Sequence, residues 1–196
     1  MTDDVAPSAP GSAPGTAPAP DTAPDGIAPD TKDWTWVLDR RCPECGFVAG
    51  EIDVRDLPAT VRSLTARWRA ALARSTAAER PRPGVWSVLE YGAHVRDVNR
   101  VFADRVRLLR DTDDPLFPNW DQDAAAVEGR YAELDPGTVA DELADAAEAF
   151  AAEYERVGPD DLERPGRRSN GSVFTVRTLG RYYLHDVVHH LHDVDA

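Results

Sequence analysis

No apolar run in these 196 residues approaches the roughly 18 that a membrane-spanning helix needs. The N-terminus also lacks the basic stretch and apolar core that direct export, so a cytoplasmic protein with no membrane partner is expected. Basic residues are scarce as well: 22 Lys and Arg face 35 Asp and Glu, for a net charge of −13. Contact with a phosphate backbone needs clustered cations, which argues against nucleic acid as a partner. Cysteine is limited to Cys42 and Cys45, too few for a disulfide framework, and without an export signal both thiols are expected to stay reduced. The length suits one domain with a proper core plus a tail.

Residues 1–33 are almost wholly Ala, Pro, Gly, Ser, Thr and Asp. Such a composition buries too little apolar surface to offset the entropy of ordering, and the segment reads as a disordered tail. Order is expected to begin at Trp34-Thr-Trp36-Val-Leu38, opening a Trp-rich C-x-x-C segment over residues 34–54. In Cys42-Pro-Glu-Cys45-Gly46 the Pro and Gly can fold the backbone so that both thiolates face one ion, as in a zinc knuckle. That is half of a tetrahedral site, and a histidine, a carboxylate or a second chain would have to complete it. A plain structural turn and redox pairing of the two thiols are the alternatives.

Residues 55–196 carry four segments of helical period. The first follows Asp56, a candidate N-cap, with Leu57, Val61, Leu64, Trp68 and Leu72 as its stripe. The second opens on the capping box Ser87…Glu90 and buries Tyr91, Val95, Val98, Phe102, Val106 and Leu109. His94 lies on that face, with Glu90 and Asp97 near enough to orient it or to bind beside it. A long acidic connection, 111–137, is expected to cross one end of the molecule and to hold a short helix within 123–134. The third segment runs Val139, Leu143, Ala147, Phe150, Tyr154 and Val157, and Gly158-Pro159 ends it. Residues 160–172 read as loop, and their Arg164, Arg167 and Arg168 are the candidate cofactor-binding cluster for an anionic group. The fourth segment starts near Thr175. The expected fold is all-α, an up-down four-helix bundle with one long crossover.

Four of the five histidines lie within residues 185–192. At about 100° per residue His185, His189 and His192 share one stripe, whereas His190 points away from it. Either successive pair could grip one ion, with His94 from the second helix as a third ligand, because a catalytic metal site takes three protein ligands and keeps one position open. The competing view is that imidazolium gathers at the negative end of a helix dipole.

Trp86-Ser-Val-Leu-Glu-Tyr-Gly-Ala-His94-Val-Arg-Asp97 resembles the W-[ST]-x-x-E-x-x-x-H-x-x-D motif of the DinB-like superfamily, which includes mycothiol-dependent maleylpyruvate isomerases. His185-Asp-Val-Val-His189 resembles that family's terminal H/E-x-x-x-H. The resemblance spans about residues 55–195. It implies a metal triad of His94, His185 and His189 holding a divalent ion, zinc or alternatively nickel or iron. It also implies a low-molecular-weight thiol such as mycothiol as cosubstrate and S-transfer to a small electrophile. The Ala-, Arg- and Asp-rich usage fits a high-GC, actinobacterial-like source. Two rivals share these residues: a metal-dependent hydrolase, and a non-enzymatic metal-binding module forming a homodimer through the Trp-rich segment and its cysteines.

Overall fold

The computed structural model describes residues 26, 27, 30 and 32–196. The tail expected to be disordered lies mostly outside the described residues. Of its last positions, Asp30 donates its backbone N–H to Asp123 and accepts the Trp34 indole N–H at 2.7 Å.

Four long helices make the bundle: α1 (Leu57–Leu72), α2 (Val88–Asp111), α4 (Pro136–Glu155) and α5 (Val176–Asp193), with the short α3 (Gln122–Glu128) between α2 and α4. Each long helix buries most of the stripe that its period predicts, with Tyr91 and Val157 half-buried and Val157 beyond the end of α4. Trp68 of α1, Val98 and Leu109 of α2, Phe150 of α4 and Tyr183 of α5 are all virtually inaccessible. α4 packs against both α1 and α2, and α5 packs against the same two helices. The expected all-α four-helix bundle with a long connection after α2 is what forms.

The helix starts follow local chemistry. Ser87 and Glu90 make a reciprocal capping box at α2, and Thr175 with Thr178 does the same at α5. Asp56, expected to cap α1, makes no side-chain cap. Instead Asp53 accepts the N–H of Arg55 one turn earlier, starting a 3-10 turn (Val54–Asp56) that runs into α1.

The loop expected over 160–172 is in part strand. β1 (Leu116–Phe117), β2 (Pro165–Arg168) and β3 (Val173–Thr175) form a three-stranded sheet in that order, β1 parallel and β3 antiparallel to β2. It ties the crossover to the approach of α5. Residues 34–54 wrap α5 in turns, and Val37, Cys42, Ala49 and Val54 are buried. No helix among the described residues is long and apolar enough to cross a membrane.

Candidate metal centre

α5 carries its ligand-type side chains as two i, i+4 pairs offset by one residue, and a rotation of about 100° per residue turns those pairs toward different neighbours. Tyr183, Asp186 and His190 lie on one stripe. The Tyr183 hydroxyl donates to Asn99 Oδ1 of α2 at 2.7 Å, so that stripe faces α2. Arg181, His185 and His189 lie on the next. Arg181 donates to the Ile52 carbonyl at 3.0 and 3.2 Å, so this second stripe faces the N-terminal segment.

On the α2 side, His94 Nε2 is 3.3 Å and His190 Nε2 3.7 Å from Asp186 Oδ1. One ligand atom from each of the three lies within 4.8 Å of the others. His94 is fully buried, its ring 5.5 Å from that of Trp86 and stacked at 5.5 Å on that of Trp120. Asp193 Oδ2 sits 2.8 Å from His190 Nδ1, which orients that imidazole. Apart from the contacts of this trio with one another, both ring nitrogens of His94 and Asp186 Oδ1 are buried with no hydrogen-bond partner among the described residues. A buried polar group left without a partner costs about 1–3 kcal/mol, and a cation set between the two residues would take up one His94 nitrogen and Asp186 Oδ1.

On the other side, Cys42, Cys45, His185 and His189 also bring one ligand atom each within 4.8 Å of one another. The triad expected from the sequence is therefore divided. His94 meets Asp186 and His190, while His185 and His189 meet the two cysteines. The physical reason is helical phase, since the face of α5 opposite α2 is fixed by Tyr183, and 186 and 190 share its stripe. Asp186 and His190 are the α5 residues that stand beside His94, and the signal for that placement was their stripe position relative to Tyr183.

Burial, reinforced by His189, lowers the His185 pKa to about 4, and burial also lowers that of His189, so both rings are neutral near pH 7. Burial works to raise the Asp186 carboxyl, but the His94 ring and the other imidazoles outweigh it and hold it near 2. For His190 burial pulls down, yet its bond to Asp193 and the charges of Asp186 and Asp193 raise it on balance. Burial pushes the Cys45 thiol up to about 11.

Other candidate residues are occupied elsewhere. The Glu90 carboxylate is taken by Arg80 and Ser87, and that of Asp97 by Arg96, Arg100 and Tyr131. His192 is exposed. Arg164 pairs with Asp113 and donates to the Leu109 carbonyl, and Arg167 pairs with Asp114. Arg168, held by Asn170 and Ser172, borders a recess of about 680 Å³. A smaller cavity of about 260 Å³ opens over Asp186 and His190, walled by Asp30, Glu44, Tyr91 and Asp193. The two hollows share Asp30, Lys32, Trp34, Gln122 and Tyr182.

Fold and geometry together define a four-helix bundle whose last helix gathers candidate metal ligands. The chain belongs to the DinB superfamily, whose family model matches residues 59–194. Among solved structures it is similar in fold to YfiT from Bacillus subtilis, described as a probable metal-dependent hydrolase with an unusual four-helix bundle topology. That match has a TM-score of 0.63 at 18% identity, covering 71% of this chain and 82% of YfiT. A comparison with curated proteins gives no match.

Proposed function

We propose that the chain is a metal-dependent hydrolase of small molecules, with a divalent ion held by His94, Asp186 and His190. The observation that carries this reading is the convergence of His94 Nε2, Asp186 Oδ1 and His190 Nε2 from α2 and α5 beside the 260 Å³ cavity. Two imidazoles and a carboxylate suit zinc, and also nickel or iron. A divalent ion bound there would supply Lewis acidity, acidifying water and polarising a substrate oxygen.

The rest falls to the chain's own residues. Trp86 and Trp120 fix the His94 ring, and Asp193 keeps a proton on His190 Nδ1 so that Nε2 is free to bind. Glu44 borders the cavity and is placed to accept a proton from water. Besides the ligand Asp186, the carboxylates of Asp30, Glu44 and Asp193 border the cavity with Lys32, an acidic balance that favours a neutral or cationic substrate. Thiol S-transfer, with mycothiol or a similar thiol, is the second reading. What favours it is the adjoining 680 Å³ recess, where Lys32 and Arg168 could hold a polar cosubstrate.

The test is elemental analysis of the purified protein for zinc, nickel and iron, followed by assays on p-nitrophenyl acetate and a panel of neutral esters and amides, with and without added thiol. His94→Ala and His190→Ala are expected to abolish metal binding at this site and to lower turnover about 100-fold or more, and Asp193→Ala to weaken metal affinity about 10–100-fold. Hydrolysis undiminished in His94→Ala would sink the proposal. Turnover that requires thiol would transfer the assignment to S-transfer.

A further inference from the structure

The second cluster on α5 is not used by that chemistry. We infer that Cys42, Cys45, His185 and His189 form a closed Cys2His2 zinc site that clasps residues 34–54 onto α5. Bonds of about 2.0–2.3 Å in a tetrahedral shell put neighbouring ligand atoms roughly 3.3–3.8 Å apart, and Cys42 Sγ lies 3.7 Å from His189 Nδ1. His185 Nε2 is buried with no hydrogen-bond partner among the described residues, and the residue is 96% buried, at a relative exposure of 4%. The His189 ring is aimed from behind: its Nε2 lies 3.5 Å from Glu44 Oε2, leaving Nδ1 for the ion.

The turn that presents the sulfurs is built for it. Gly46 adopts φ +78°, its N–H donates to the Cys42 carbonyl at 3.0 Å, and the Cys42 N–H returns to the Phe47 carbonyl at 2.9 Å. Both cysteines are free thiols, and Cys42 is fully buried. The rings of Trp34 and Phe47 lie against that of His185 at 5.7 and 5.5 Å.

Four protein ligands leave no open position, so the site is structural where the His94 site is open. On binding, each thiol releases its proton to solvent, and two thiolates neutralise the zinc charge. Because His185 and His189 also border the 260 Å³ cavity, the clasp anchors the chain that carries Asp30, Lys32 and Trp34 over it.

The inference stands apart from the hydrolase reading, and the test keeps them apart. Full-length protein is stripped by chelation under reducing conditions and reloaded with Co2+ or Zn2+. The Co2+ form is expected to show thiolate-to-cobalt charge transfer with the strong visible bands of a tetrahedral site. His94→Ala with His190→Ala should keep those bands, and Cys42→Ser with Cys45→Ser should lose them together with one equivalent of zinc. In unmodified zinc-loaded protein both thiols should resist a thiol reagent until the metal is removed, a readout that does not depend on the variants folding. Absence of thiolate bands in the Co2+ form, equal thiol reactivity with and without zinc, or a native mass lower by the two thiol hydrogens of a disulfide would each overturn the assignment.

Discussion

Glu153 illustrates how a single residue is settled by its neighbours. It is buried on α4, yet it accepts from Arg107 at 3.1 Å, Arg110 at 3.0 Å and Arg156 at 2.9 Å. Burial works to raise its pKa, and the arginines outweigh it, holding the carboxyl below the ordinary 4.5. The folded state thus favours the charged form. Its contribution is fully present above about pH 4.5 and is lost as pH falls through the lower folded-state value. Glu153→Gln is expected to cost about 1–2 kcal/mol at neutral pH, discounted because Arg107 and Arg156 are half exposed. In urea unfolding the gap between wild type and variant should narrow as pH falls below the ordinary carboxylate value of 4.5. A gap that stays constant would mean that charge is not what the arginines recognise.

Within elements, α5 bears the tightest constraint. A Cβ at Gly180 would overlap the Tyr154 hydroxyl, which donates to the Val176 carbonyl at 2.5 Å, and would press on Leu57. Gly180→Ala is expected to destabilise by about 3 kcal/mol, through overpacking and loss of that bond, as read by thermal or urea unfolding. A neutral result would mean that α1 and α4 can retreat from α5. The long helices were legible in the sequence because a 3.6-residue period and a capping box are local signals. The sheet was not, because its strands are two to four residues long and Leu116 pairs with Arg167 across half the bundle. The candidate ligands were legible as residue types, including the half-site at Cys42 and Cys45. Their grouping was not, because the phase of α5 depends on where Tyr183 meets Asn99, a contact 84 residues apart.

For the whole molecule, the two clusters gather ligands from three distant stretches, and Cys42 reaches His189 across 147 positions. The unfolded chain offers no such arrangement, so an ion bound by the fold adds to its stability, by about 2.7 kcal/mol at a free concentration 100 times Kd. Chelated protein is expected to melt at a lower temperature, and zinc to restore Tm in two increments, one missing from the His94/His190 variant and the other from the Cys42/Cys45 variant. A melting temperature indifferent to chelation would contradict both sites at once.

The sequence His185-Asp186-Val-Val-His189-His190 can be parsed in two overlapping frames, each a ligand pair four apart. A sequence comparison that weighs histidine above aspartate falls into the first frame, whereas the bundle uses the second to face His94. Insertion of one residue just ahead of His185 would roll α5 by about 100° beyond that point and bring the other frame round to α2. The two sites are thus coupled by indexing: no shift of α5 about its own axis can correct one without misaligning the other.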